Sequence, residues 1–340
     1  MPTIKEVAAH TGLSASTVSA VLRGDADFLR ISSASQEKIW DAAKELGYKP
    51  NIAARRLRDK ANDNIVIAVF WGNDFRAPLM VRFLRGLQKA LSDSESKCEI
   101  VIHPYENGAL SDEASLKGIN TFHAAIICNM NDKDMEFLES NRFYVPIVLY
   151  NRYSDKYCTA NVNDYHLGSI PAEVFAQRKH KLAAILTSEA AFQGMNDRIT
   201  GFLDTCEKNQ IKVIEPIYVD NSMAGGYEGA LGLCDYKLLP DCLYCASDAL
   251  ALGALRAFHQ KALKIPEQLE LISIGNGDKE HEEYAWPSLS IVHLPMEKMA
   301  AACLDLLLKL LSGKVSPPFS TELPVEYIRR ESCGGINESN

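Results

Sequence analysis

Small residues able to form hydrogen bonds follow one another closely near the start of the chain. Ser14, Ser16, Thr17 and Ser19 each carry a hydroxyl group that donates and accepts, and Ala15 adds little bulk between them. If they share the exposed face of one helix, that helix can enter a DNA major groove, about 12 Å wide, without steric conflict. The chemistry that this segment offers is hydrogen bonding to DNA.

Two short helices joined by a tight turn would position this face. Thr3 and Glu6 form a capping box, which predicts a first helix from Ile4. Gly12 supplies the positive φ of a turn, and Ser14 then caps a second helix. This arrangement predicts a helix-turn-helix unit.

A third helix is expected to complete a small helical domain. It begins at Ser32 or at Ser33, the latter paired with Gln36, and it ends at Gly47. A generic three-helix mini-domain would explain the apolar positions by packing, but not the small polar face of the second helix. The apolar residues expected inside are Ile4, Val7, Ala8, Val18, Val21, Leu22, Ile39, Ala42, Ala43 and Leu46.

The segment from Pro50 to Arg58 is rich in alanine and arginine. At about one to two turns it is too short to be a stable helix alone, so its folding requires a partner such as DNA. Leu57 lies among Arg55, Arg56 and Arg58, where an apolar wedge flanked by phosphate contacts would suit the minor groove. A charged interdomain linker with one stray leucine is the alternative.

Charge is divided unevenly along the chain. Residues 1–60 contain ten Lys and Arg against seven Asp and Glu, whereas the remainder contains 26 against 37, within a net charge of −8. A basic end on an acidic body predicts that only the N-terminal segment meets a polyanion.

Length and composition limit the class of protein. The chain has 340 residues, 47% of them hydrophobic, which predicts two or three packed units. Neither an apolar run of about 18 residues nor an N-terminal signal core occurs, so we expect no membrane contact and a cytoplasmic location. The nine cysteines are scattered, and Cys242 and Cys245 would face opposite sides of a strand, a poor metal chelate. We therefore expect reduced thiols, no metal and no cofactor.

Apolar runs alternate with helical patterns from residue 63 to residue 330. This alternation, with nearly continuous apolar strands, predicts an α/β region of two doubly wound parallel sheets, with a ligand cleft beyond the carboxyl ends of the strands. The predicted strands are Ile65–Phe70, Glu99–His103, Ala124–Cys128, Ile147–Tyr150, Leu182–Leu186, Cys242–Ala246 and Leu271–Ile274, and the predicted helices are Leu79–Leu91, Leu167–Gln177, Arg198–Lys208, Ala249–Gln260 and Met296–Leu311.

The segments 4–8, 13–22 and 47–51 resemble the headpiece and hinge of the LacI/GalR family of bacterial transcription regulators. The resemblance implies that Ala15, Ser16 and Ala20 read base edges, and that Leu57 is inserted at the central base step by the paired hinges of a homodimer. The DNA-contacting residues that we expect are Thr3, Ser14, Ala15, Ser16, Thr17, Ser19, Ala20, Arg23, Asn51, Arg55 and Leu57.

The resemblance extends more loosely over the α/β region, through segments 148–152, 197–202 and 246–256. It implies a periplasmic-binding-protein-like core of two subdomains with several chain crossings, in which a small-molecule effector closes the cleft. Asn151 and Gly277 stand where the family usually has Asp. The effector-binding residues that the resemblance implies are Phe75, Arg76, Asn129, Asn151, Arg198, Asn221, Asp248 and Asn276, because amides and guanidinium groups suit a hydroxyl-rich or anionic ligand.

Enzyme chemistry finds little support in the sequence. Neither a nucleophile elbow, a P-loop nor a zinc-protease motif occurs, so we expect no catalysis. The cluster from Asp278 to Glu283 could be read as a metal site, but its spacing favours a solvated loop. The glycines at 225, 226, 229 and 232 favour close helix packing over a dinucleotide fingerprint.

The expected organisation is a DNA-binding domain at residues 1–49, a hinge at 50–61, an effector-binding and dimerisation core at 62–330 and a tail at 331–340. The expected function is that of a transcriptional repressor that binds double-stranded operator DNA and is controlled by a sugar or a sugar derivative. A regulator controlled by a protein partner and a solute-binding protein without DNA function are the alternatives.

Overall fold

The computed structural model describes residues 3–23, 26, 29–46, 65–94, 97–117, 122–143 and 145–334. The predicted hinge at 50–61, with Asn51, Arg55 and Leu57, lies outside the described residues, as do Gly47 and most of the predicted tail.

Three helices form the N-terminal domain: α1 (Ile4–Thr11), α2 (Ala15–Arg23) and α3 (Ser33–Glu45). The capping box of α1 is confirmed, because the backbone N–H of Glu6 donates to Thr3 and the Glu6 carboxylate accepts from the Thr3 backbone. Gly12 ends α1 with a φ of 67°, as predicted for the turn.

The caps of the next two helices lie one residue before each helix. The Thr17 backbone N–H donates to Ser14 Oγ at 3.0 Å, which confirms Ser14 as a cap. Ser32, not Ser33, caps α3 through the Ser35 N–H. Gln36 instead donates to the Ile31 carbonyl oxygen. The expected apolar residues form the core of this domain, with Ile4 and Leu46 at its margin.

A six-stranded parallel sheet, here the first sheet, has the strand order β12-β5-β4-β3-β1-β2 within the described residues. Its strands are β1 (Ile65–Asn73), β2 (Cys98–Glu106), β3 (Ala124–Cys128), β4 (Ile147–Tyr150), β5 (Cys158–Asn161) and β12 (Phe319–Glu322). The intervening helices are α4 (Met80–Ser92), α5 (Ala114–Lys117) and α6 (Asp132–Ser140), with 3-10 turns at Ala77–Leu79 and Leu110–Asp112.

The second sheet has the order β13-β11-β10-β9-β6-β7, and β8 pairs with β6. Its strands are β6 (Leu182–Thr187), β7 (Lys212–Val213), β8 (Ile217–Tyr218), β9 (Cys242–Cys245), β10 (Glu270–Gly275), β11 (Ser290–His293) and β13 (Glu326–Ile328). The helices are α7 (Asp164–Gln177), α8 (Gln193–Lys208), α9 (Met223–Cys234), α10 (Asp248–Gln260), α11 (Lys279–Glu283) and α12 (Met296–Leu311), and Glu331–Cys333 forms a 3-10 turn.

The chain crosses between the sheets three times: after β5, after β11 and after β12. Helix α12 follows a strand of the second sheet but packs on α4, β4 and β5 of the first. The predicted α/β core of two doubly wound sheets with several crossings is therefore confirmed, with one correction. Strand β13 is antiparallel to β11 because it returns along the outer edge of the second sheet.

Two further predictions concern cysteines and membrane spans. Cys242 and Cys245 lie in different apolar clusters on opposite faces of β9, as expected for residues three apart on a strand. Among the described helices, none has the length and apolarity needed to cross a bilayer.

Candidate functional site

A cavity of about 50 Å³ lies at the carboxyl ends of both sheets. Parallel strands place the loops that follow them at one edge, so residues distant in sequence converge there. Seven of the eight predicted effector residues line this cavity: Phe75, Arg76, Asn129, Asn151, Arg198, Asn221 and Asn276.

Asn129 and Asn151 directly follow β3 and β4 and adopt positive φ angles of 58° and 50°. Asparagine tolerates this left-handed conformation better than most residues do, because its short polar side chain forms local hydrogen bonds. Each therefore makes the turn at a strand end and also places an amide beside the cavity.

Two of the cavity arginines are paired with carboxylates. Arg76 donates through Nε at 3.0 Å and through Nη2 at 2.5 Å to Asp74, and a further bond reaches the Asn129 carbonyl oxygen at 2.7 Å. Arg198, near the start of α8, donates to Asp164 Oδ1 at 2.7 Å. These ion pairs fix the positions of both guanidinium groups, and both groups still line the cavity.

Arg152 and Phe192 were missed as site residues. Arg152 is buried and donates to the backbone carbonyl oxygens of Met130 and Asn151. Its guanidinium carbon lies 3.9 Å from the centre of the Phe192 ring, so the two side chains stack across the cleft. An arginine two residues after a buried strand was the available signal for Arg152. Phe192, in the loop between β6 and α8, offered none.

Asp248 is not among the residues that line the cavity. It is the first residue of α10, where burial raises the pKa of its carboxyl to about 6. A Cβ at Gly277 would lie 2.0 Å from Asp248 Oδ2, so the glycine permits this close approach. The neighbouring Ser247 Oγ is 2.6 Å from Asn221 Oδ1 and positions that amide at the cavity.

The predicted DNA-reading face of α2 is only partly exposed. Ser14, Ala15 and Ser16 are exposed, and Thr17 and Ser19 are half-buried. Ala20 is 1% exposed, so its side chain lies in the core of the domain and its expected contact with a base stays a prediction. Thr3 is exposed at the start of α1, and the side chain of Arg23 lies outside the described part of the structure.

The segment from Asp278 to Glu283 is not a solvated loop throughout. Residues 279–283 form α11, and Glu282 on this helix is fully buried. In the described parts of the chain, no three potential metal ligands lie together. The prediction of a solvated loop is therefore wrong at Glu282, whose side chain packs beneath the end of β10.

Comparison with known proteins identifies both regions. The family model for bacterial regulatory proteins of the lacI family matches residues 3–51, and that for a periplasmic binding protein-like domain matches residues 172–333. A LacI family transcription regulator from Clostridium acetobutylicum is 36% identical, with a TM-score of 0.77, over 78% of this chain and all of that one. The chain belongs to the LacI family of transcription regulators.

Other transcription regulators match over nearly the whole chain. The probable HTH-type transcriptional repressor ExuR of Bacillus subtilis is 26% identical over 98% of both chains. The complex of the transcriptional regulator CelR with cellobiose has the same fold, at 21% identity and a TM-score of 0.68, over 98% of this chain and all of that one. The prediction of a DNA-binding transcription regulator is thus confirmed.

Proposed function

We propose that this LacI-family regulator represses transcription as a homodimer on operator DNA, and that a sugar-like effector in the cleft controls its affinity. The observation that carries the proposal is the cavity where amide and guanidinium groups from both sheets meet. A ligand that binds groups on both sides favours a closed cleft and so shifts the population of conformations.

The division of labour follows the predicted organisation. Residues 1–49 bind DNA, 50–61 form the hinge, 62–330 bind effector and form the dimer, and 331–340 are the tail. The exposed hydroxyl groups of Ser14 and Ser16 support base reading by α2. A dimer presents two headpieces, which suits a roughly palindromic operator.

Unsatisfied polar atoms support a hydroxyl-rich effector. Asn276 Oδ1 and Tyr150 Oη are buried beside the cavity without a hydrogen-bond partner among the described residues. A buried polar atom without a partner costs about 1–3 kcal/mol, which a ligand hydroxyl would offset. The cellobiose bound by CelR, a protein of the same fold, agrees with this chemistry.

Substitution of Leu57 tests DNA binding. We expect Leu57→Ala to weaken sequence-specific binding more than about tenfold, because a side chain inserted between base steps is lost. The measurement is a gel shift of the full chain against a library of genomic fragments at fixed salt, since phosphate contacts make affinity salt-dependent. Leu238→Ala is the matched control, because Leu238 is 70% exposed on the second-sheet side of the molecule.

Unchanged binding by Leu57→Ala and by a chain lacking residues 1–60 would contradict the proposal and favour a solute-binding protein. Thermal-shift screening of sugars separates the effector model from control by a protein partner, because a ligand at 100 times its Kd stabilises the fold by about 2.7 kcal/mol.

A further inference from the structure

Three guanidinium groups surround the Phe192 ring at the cavity. Their central carbons lie 3.9 Å (Arg152), 5.4 Å (Arg76) and 5.7 Å (Arg198) from the ring centroid. Phe192 and Arg198 come from the second sheet side of the cleft, whereas Arg76 and Arg152 follow strands of the first. The positive charge is therefore concentrated where the two sides meet.

The carboxylates near this ring balance two of the three positive charges. Asp74 pairs with Arg76, and Asp164 pairs with Arg198. Within the described parts of the chain, no carboxylate lies within ion-pair distance of Arg152, whose hydrogen bonds go to backbone carbonyl oxygens. These carbonyl groups satisfy N–H donors but carry no net charge.

The uncompensated charge is costly to the protein alone. Burial, and then the charge of Arg76, lower the pKa of Arg152 to about 9, despite the opposing effect of Asp164. A buried cation without an anion carries a desolvation penalty that its surroundings must offset. Asn151, next to Arg152 at the cavity, offers a neutral amide where a carboxylate would balance the charge.

Other charged groups near the cleft have different neighbours. Arg82 donates to both carboxylate oxygens of Glu297, at 2.9 and 2.7 Å. Asp248 packs against Gly277 and does not line the cavity. Arg82 donates to the carbonyl oxygen of the same glycine. Glu282 lies with Asp248 on that side, 3.9 Å from Arg330.

We propose that the effector carries an anionic oxygen group, a carboxylate or a phosphate, which Arg152 binds between Arg76 and Arg198. This rests on the proposed function and names its ligand class. A planar guanidinium matches either group through paired hydrogen bonds, and the bound anion supplies the charge that the site lacks.

Matched ligand series test the charge of the effector. Thermal-shift titrations of the full chain use glucose, glucuronate and glucose 6-phosphate, and the same three forms of galactose. We expect an anionic member to bind at least about tenfold more tightly than its neutral counterpart, by analogy with other charge-assisted hydrogen bonds. The carboxylate and phosphate arms show which anion fits.

Variants assign that preference to Arg152. Arg152→Gln removes the charge and should abolish the preference, Arg152→Lys should retain part of it, and Arg142→Gln, at an exposed arginine, should leave it unchanged. Equal binding of neutral and anionic sugars overturns the inference but leaves a sugar-like effector. A preference that survives Arg152→Gln, or no binding by any probe, also overturns it. Operator binding, measured without ligand, tests the proposed function separately from the charge of the effector.

Discussion

Glu282 is a buried carboxyl group that nothing in its local sequence distinguishes from its charged neighbours. Both of its oxygens lack hydrogen-bond partners among the described residues, and Arg330 Nη1 is 3.9 Å away. Burial, and then the Asp248 carboxylate, raise the pKa of Glu282 to about 7. Because this pKa lies above the unfolded value of 4.5, the stability linked to Glu282 is fully present below pH 4.5 and is lost as the pH rises through 7.

Replacing this carboxyl group by an amide should remove the pH dependence. We expect Glu282→Gln to gain about 3 kcal/mol of unfolding free energy relative to the unmodified chain between pH 4.5 and pH 8, since the amide does not ionise. Denaturant unfolding at both pH values measures this difference. Glu283→Gln, at the exposed neighbour, is the control, and a pH-independent difference for Glu282→Gln would contradict the interpretation.

Single residues at strand ends were the most predictable part of the site. Asn129 and Asn151 were predicted and line the cavity, because polar residues after apolar strands mark the binding edge of such sheets. Arg198, which lies on α8, was predicted from the family resemblance. Two residues were not predicted. Phe192 lies at the site because it stacks on Arg152 from the other sheet, and Glu282 is buried because other elements pack over it. The lack of a carboxylate partner for Arg152 is likewise visible only in three dimensions.

Glycines set how closely helices α9 and α10 approach each other. A Cβ at Gly226 would lie 2.2 Å from the Leu250 carbonyl oxygen, and Cβ atoms at Gly225 and Gly229 would also collide with neighbours. The predicted role in helix packing is confirmed at Gly226, whereas Gly225 faces the Asp220 backbone and Gly229 faces the Leu186 side chain of β6. It is wrong at Gly232, where a Cβ would have no atom within 4 Å.

The two kinds of glycine in α9 give opposite predictions. Gly226→Ala should destabilise the fold by about 2 kcal/mol, because a backbone atom must move. Gly232→Ala should stabilise it by about 0.5–1 kcal/mol, since alanine favours a helix and the position is open. Denaturant unfolding of both variants measures the difference, and a shared sign would show that packing does not distinguish them.

Strands were predictable where they are continuously apolar. β3 and β4 have the predicted bounds, whereas β5 and β12, with the sequences CTAN and FSTE, were not predicted. These two polar strands pair with each other, and Ser320 Oγ lies 3.0 Å from Thr159 Oγ1. Such a pairing joins segments some 160 residues apart and depends on the whole chain path.

Across the whole molecule, Arg82 connects the two sides of the cleft. From α4 beside the first sheet, it donates to the carbonyl oxygen of Gly275, the last residue of β10, at 3.4 Å and to that of Leu294, which follows β11, at 3.1 Å. Its ion pair with Glu297 overcomes the effect of burial and lowers the pKa of that carboxyl to about 2.

Removing the Arg82 side chain should weaken the contact between the two sides of the cleft. We expect Arg82→Met to lower the unfolding free energy by about 3 kcal/mol, because Glu297 loses its partner and buried carbonyls lose donors. Thermal or denaturant unfolding measures the loss, with Arg85→Met, at an exposed arginine on the same helix, as the control. Equal effects of the two substitutions would show that the hydrogen bonds and the ion pair of Arg82 do not contribute to the unfolding free energy.

The stack of Phe192 on Arg152 has a consequence for the free energy of effector binding. The cavity of about 50 Å³ is far smaller than the roughly 300 Å³ of a small ligand pocket, and the Phe192 ring stacks on Arg152 at its wall. We therefore expect an effector that binds Arg152 to separate this guanidinium from the Phe192 ring. The dissociation constant of such an effector would then include the free energy of breaking the stack, so a substitution of Phe192 should change the effector concentration at which the regulator responds.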